Sequence, residues 1–266
     1  MKKKKRLIVK EKHSVPKEVP VVHVKDIDDF ILEVVRQRQL PNTESLLLKV
    51  GLDEGQKMMK ICLSVIHLLG EQDQAKKRFE DGFKDSGVKK VMMLAVTPAK
   101  EMYENLKVLL DLIKCSSTRL RLRYSADFKC IALLCGIGAA SSTHPCPFCN
   151  WKYGDGFKHA ALRTFRMIID QYEAWMASGG KQCDIKHYYN CKNNPLPVFT
   201  DPECLVLTVF CLPVLHIMQG LVNTLFKAIE AFFPGIAAWP KRLHLKREDY
   251  HGKIYEVRAS SFIFVP

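Results

Sequence analysis

The sequence predicts an α/β fold, a mixed sheet flanked by helices, and three observations lead there. Segments with strand and helix periodicity alternate along most of the chain. Between residues 46 and 127 their order is strand, strand, strand, helix, strand, which calls for an antiparallel unit continued through a helix into a further strand. With 266 residues and 47% hydrophobic content, the chain can also bury one large core.

Residues 1–25 are charged, contain Pro16 and Pro20 and hold no sustained period, so they are expected to form a basic, flexible arm. Residues 26–39 (DIDDFILEVVRQRQ) place Phe30, Ile31, Val34 and Val35 at helical spacing behind an acidic start, as in a short capped helix. Residues 46–50 read as a strand running into Asp53, Glu54-Gly55 as a turn, and residues 58–69 as the returning strand. A third apolar run covers residues 88–96. Residues 102–113 repeat Leu106, Leu109, Leu110 and Ile113 as an amphipathic helix, and residues 120–124 form a strand ending near Asp127.

Beyond Asp127, residues 128–138 are expected to be helical and Cys146 to Cys149 to form a knuckle. Residues 160–176 form a strong amphipathic helix with Phe165, Ile168, Ile169, Tyr172 and Trp175. A polar loop with Cys183, His187 and Cys191 leads to a strand at 205–211 and a helix at 215–233. The domain reading is therefore an arm over 1–25, a core over 26–212 and a helical extension over 213–266.

The formal net charge of +13 predicts a surface that attracts polyanions, with nucleic acid the leading partner class and ribosomal or acidic-lipid contact behind it. The opening run Lys2 to Arg6 fits a nuclear-targeting or DNA-contacting segment as well as a solvated tail. No apolar stretch follows it, so it does not read as a secretory signal. The apolar run at 205–215 is interrupted by Pro213 and is too short to span a bilayer, so no membrane association is expected. Cys62, Cys130, Cys135, Cys204 and Cys211 sit inside apolar runs, which fits free buried thiols in a reducing compartment.

Asp53 and Asp127 are the candidate catalytic acids. Carboxylates converging from adjacent central strands hold Mg²⁺ or Mn²⁺, hard cations that prefer oxygen and serve in-line phosphoryl displacement, as in RNase H-like nucleases. Each acid also has a plainer role: Asp53 within an Asp-Glu-Gly turn, Asp127 as the cap of the helix starting at Phe128. The strand order favours the metal. Cys146 and Cys149 supply half of a tetrahedral Zn²⁺ site, and their spacing alone fits zinc or a turn with two free thiols equally. Nearby donors are His144, His159, Cys183, His187 and Cys191, none at a diagnostic spacing.

The stretches at 125–129 (SADFK) and 136–149 (GIGAASSTHPCPFC) resemble the second-aspartate and zinc-knuckle block of DDE transposase cores of the kind shared by Transib transposases and the V(D)J recombinase. Residues 163–178 (RTFRMIIDQYEAWMAS) resemble the helix after the knuckle. Leu215 and His216 with Gly220 and Asn223 resemble the next block, and residues 51–56 (GLDEGQ) the strand and turn of the first aspartate. The likeness runs over residues 40–250 and is specific at the knuckle. It implies an RNase H-like fold with a CxxC zinc-knuckle insertion, Asp53 and Asp127 as two of three metal-binding acids, and Cys146 and Cys149 as half of a structural zinc site completed by two downstream histidines.

The family's third acid, a glutamate, lies beyond the block matching 215–233, and residues 256–266 depart from the family pattern, so the core is expected to be truncated and its catalytic set incomplete. Glu230 and Glu256 are the in-chain substitutes. Glu230 is better explained by a salt bridge on a helix, His216 by packing, and Arg119, Arg121 and Arg123 serve a solvated strand face as readily as phosphates. The expectation is a transposase-derived, DNA-binding protein of the nucleus with an incomplete strand-cleavage and transfer core, and with a second copy of the chain, as a homodimer, as its other partner. The alternatives are a non-catalytic module that binds nucleic acid or protein, and a decayed product that folds poorly.

Overall fold

The computed structural model describes residues 2–9, 17–37, 46–67, 91–115, 118, 120, 122–138, 141–155, 160–199, 201–212, 214–233, 235, 246–250 and 254–258. By internal contacts the chain divides into a first unit, Met1–Leu212, and a second, Pro213–Pro266.

The first unit is built on a seven-stranded mixed sheet: β1 (Lys2–Val9), β2 (Lys17–Val24), β3 (Leu46–Gly55), β4 (Met58–His67), β5 (Met92–Thr97), β6 (Leu122–Ser125) and β7 (Phe210–Cys211). Their spatial order is β1-β2-β5-β4-β3-β6-β7. Every neighbouring pair from β1 to β3 is antiparallel, while β3–β6 and β6–β7 are parallel. Its helices are α1 (Ile27–Gln37), α2 (Tyr103–Leu112), α3 (Phe128–Leu134), α4 (Phe165–Ala177) and the single turn α5 (Val206–Val209), with a 3₁₀ turn at Ile185–Tyr188.

Strand alternation defines the core. On β3 Leu48, Val50 and Leu52 are buried, on β4 Met59, Ile61, Leu63 and Val65, and on β6 Leu122 and Tyr124. Ile27, Ile31 and Val34 of α1, Leu106, Leu109 and Leu110 of α2, and Cys130, Ile131 and Leu134 of α3 belong to the same cluster. Tyr124 is fully buried, and its hydroxyl accepts a hydrogen bond from Val198 N–H at 3.2 Å. Asp26 starts α1 by accepting N–H bonds from Asp28 and Asp29 through Oδ1, while its Oδ2 pairs with Lys114 at 2.7 Å beyond the end of α2. Thr118 donates to Asp28 on the same side of the fold.

Three expectations are corrected. The arm over residues 1–25 contains β1 and β2, paired from Lys2↔Val24 to Val9↔Lys17. The strand signal was obscured by charge: Val19, Val21 and His23 are buried while Glu18 and Pro20 are exposed. Pro20 is tolerated because the β2–β5 ladder covers only Val22↔Val96 and His23↔Ala95. Next, the hairpin turn is not Glu54-Gly55. The register runs to Gly55↔Met58, so Gln56 and Lys57 form a two-residue loop, both left-handed (φ 55° and 62°), whose twist matches that of the strands it joins. Last, the strand expected over 205–211 is a helical turn, with Val206 and Val209 turned inward, followed by the short β7. The expected run at 88–96 is β5 where it is described.

The second unit contains α6 (Val214–Phe232) and an antiparallel hairpin of β8 (Lys246–Tyr250) and β9 (Ile254–Arg258). Among the described residues, no helix is long and apolar enough to cross a membrane.

Candidate active site

Asp53 and Asp127 both lie just beyond the end of the ladder between β3 and β6. β3 and β6 pair in parallel from Leu48↔Leu122 to Gly51↔Ser125. Each aspartate lies two residues past that last rung, so alternation puts both on one face, opposite to buried Leu52 and Ala126. Both are exposed.

The plainer role proposed for Asp53 does not hold, since Asp53 lies within β3, opposite Lys60 on β4. A Cβ at Gly55 would lie 3.2 Å from Asp53 Oδ2 and 3.7 Å from Lys60 Nζ, so the glycine leaves room for both charged groups. The plainer role of Asp127 is realised: it is the N-cap of α3, and its Oδ1 accepts the Cys130 N–H at 2.7 Å. Capping and metal binding are compatible for a carboxylate, which has two oxygens.

A second polar cluster buttresses the aspartates. Lys129, in the first turn of α3, places Nζ 2.8 Å from Glu101 Oε2 and 3.9 Å from Glu54 Oε2, and the Glu101 N–H donates to Glu54 Oε2 at 2.8 Å. The side chain of Glu101 is only 4% exposed. Partial burial alone would lower the pKa of Lys129, but the hydrogen bond to Glu101 and the charges of Glu101, Glu54 and Asp127 hold it above the ordinary lysine value. Three segments, the end of β3, the β5–α2 connection and the start of α3, are thereby tied together next to Asp53 and Asp127. Sequence reasoning missed Glu101 and Lys129; the only signal was an acid shortly after the Pro98 that follows β5.

Cys146 and Cys149 flank a bend at Pro147 and Phe148. Burial pushes the Cys146 thiol up, the N–H groups of Phe148 and Cys149 pull it down, and its neighbour Cys149 pushes it up again. Among the described residues, the other donors do not assemble around them. Cys191 is buried and receives Arg163 Nη1 at 3.3 Å; Cys183 is exposed; His187 lies on the 3₁₀ turn. The His144 ring packs edge-on against Tyr189 at 5.1 Å, with Nδ1 buried and without a hydrogen-bond partner among the described residues. Burial, then the Arg163 charge, lowers the pKa of His144. His159, Arg119, Arg121 and the side chains of His216 and Glu256 lie outside the described residues. Glu230 lies on α6, in the second unit. Among the described residues, no three His, Cys, Asp or Glu side chains converge as a metal site.

What organises the knuckle is Arg163, a fully buried guanidinium. Its Nε donates to Cys149 O (2.8 Å), and its Nη2 to Tyr189 O (3.1 Å) and His144 O (3.5 Å). Its backbone N–H meets Phe148 O at 2.9 Å. Five fixed donors suit it to gathering carbonyls from separate loops. The chain matches no protein-family model and no curated protein.

Proposed function

We propose that this chain is a DNA-binding protein built on an RNase H-like core of the DDE transposase type, with Asp53 and Asp127 as two acids of a metal-dependent strand-cleavage site. The observation that carries the reading is the parallel register ending at Gly51↔Ser125, two residues before Asp53 on β3 and two before Asp127 at the exit of β6. The order β5-β4-β3-β6-β7, three antiparallel strands followed by two parallel ones, supports it, because that is the RNase H-like arrangement. The resemblance of residues 125–149 to the transposase block adds to it, and the +13 charge supplies the attraction for DNA.

Asp53 and Asp127 would hold Mg²⁺ or Mn²⁺, and two exposed carboxylates on one face fit such a hard cation. A bound metal of this kind activates an attacking water or hydroxyl and stabilises the leaving oxygen. The knuckle cysteines fit half of a Zn²⁺ site, with a structural role only. A second reading, binding without cleavage, is favoured by one observation: among the described residues no third donor joins Asp53 and Asp127.

Nicking of supercoiled plasmid by the purified chain with Mn²⁺ or Mg²⁺ tests the proposal. Metal-dependent nicking that is lost in both Asp53→Asn and Asp127→Asn supports it. Folded protein that binds DNA and never nicks it leaves the binding module. Asparagine caps helices as well as aspartate does, so Asp127→Asn removes the charge while keeping the α3 cap.

A further inference from the structure

Beyond the knuckle the chain presents a pair of aromatic rings on a fixed loop. Trp151 and Tyr153 have ring centroids 6.0 Å apart at an interplanar angle of 69°, Lys152 between them is exposed, and Tyr153 is 73% exposed. The backbone beneath them is tied on both sides. Asn150 N–H donates to Ala161 O at 3.0 Å, Tyr153 N–H to Thr143 O at 2.7 Å and Asp155 N–H to Lys152 O at 3.1 Å. Gly154, at φ +95°, makes the turn between the last two, and Arg163 holds Cys149 O just upstream.

The loop is continuous with the candidate active site. Phe148, just before Cys149, packs edge-on against Phe128 at 5.8 Å, and Phe128, 41% exposed, directly follows Asp127. An aromatic side chain on pre-fixed backbone has few torsions left to lose when a ligand settles on it.

We propose that Trp151 and Tyr153, with Lys152 between them, form a stacking platform for unpaired bases of a nucleic-acid strand held beside Asp53 and Asp127. Flat rings accept any base face, and an interleaved lysine meets the phosphate. The platform deepens the proposed function by naming the unpaired strand as what is held next to the two aspartates, and it rests on that reading.

The test is fluorescence anisotropy of the full chain on three labelled probes: an oligothymidylate strand, an abasic strand of equal length and phosphate count, and a duplex. The expected result is that Tyr153→Ala and Trp151→Ala each weaken oligothymidylate binding by roughly fivefold to a hundredfold, the range for losing one stacked base. Binding of the abasic strand should be unchanged, and Tyr153→Phe should restore the wild-type preference. Equal affinity of the wild-type chain for thymidylate and abasic strands would overturn the platform, as would equal losses on all three probes in the alanine variants. Nicking by the wild-type chain separates the two ideas: base-dependent binding by a wild-type chain that never nicks DNA would sink the cleavage reading and leave the platform standing.

Discussion

Lys129 Nζ sits 2.8 Å from Glu101 Oε2, so a lysine whose side chain is 62% exposed neutralises a carboxylate that is 4% exposed. The asymmetry sets the outcome of mutation. Lys129→Met leaves a buried charge without its partner, whereas Glu101→Gln leaves only a solvated ammonium. Exposure on the lysine side discounts the full buried-pair cost, so Lys129→Met should lose about 1–2 kcal/mol of stability. Adding Glu101→Gln should recover part of that loss. Urea unfolding of the two single variants and the double variant measures it, and a double variant as unstable as the sum of the singles would mean the pair is not coupled.

Arg163 is the corresponding centre of the knuckle. Arg163→Met would strand the carbonyls of Cys149, Tyr189 and His144, at a cost of about 3 kcal/mol. With those carbonyls unpaired the loops burying Cys191 should open more often, so labelling of this thiol in the native protein should speed up even though it loses the guanidinium that lowers its pKa. Unchanged labelling would show that the loops are held by other contacts.

The turn at Gln56-Lys57 places two side-chain-bearing residues at positive φ, where an L-residue is strained by roughly 1–2 kcal/mol. Lys57→Gly should therefore raise stability by about 1 kcal/mol, read from the urea midpoint at unchanged slope. A loss of stability would contradict the β3–β4 register, and with it the position of Asp53.

These residues also show what a sequence can reveal. The β3–β4 hairpin and the β5, α2, β6 succession followed from period and length, because Leu48, Val50 and Leu52 alternate and Leu106, Leu109 and Leu110 recur at helical spacing. The turn was misplaced because Gly55 is a stronger local turn signal than Gln56-Lys57, while the ladder, a tertiary feature, set the loop two residues later. β2 was hidden by charged neighbours. At the candidate site the positions of Asp53, near the end of β3, and Asp127, just past β6, could be read from the strand pattern; the contacts of Glu101, Lys129 and Arg163 could not, since they depend on partners far away in sequence that only the fold brings close.

Acid should weaken the link between α1 and α2. The hydrogen bond from Lys114 holds the Asp26 carboxyl below its ordinary pKa of 3.8, against the upward push of burial. A carboxylate whose folded pKa is lowered stabilises the fold above the unfolded value and loses that contribution as pH falls through the folded one. The stability difference between wild type and Asp26→Asn should thus be full at neutral pH and shrink below about pH 4. A difference that stays constant down to pH 2 would show that the effect of the variant does not come from the carboxylate charge.

The most direct test of the shared aspartate site is Mn²⁺ titration of the purified chain, followed by the loss of the free-ion paramagnetic resonance signal. If Asp53 and Asp127 hold one cation between them, each of Asp53→Asn and Asp127→Asn should weaken Mn²⁺ binding by about tenfold or more, the equivalent of 1.4 kcal/mol, with the fold intact. Wild-type affinity in either variant would contradict the account.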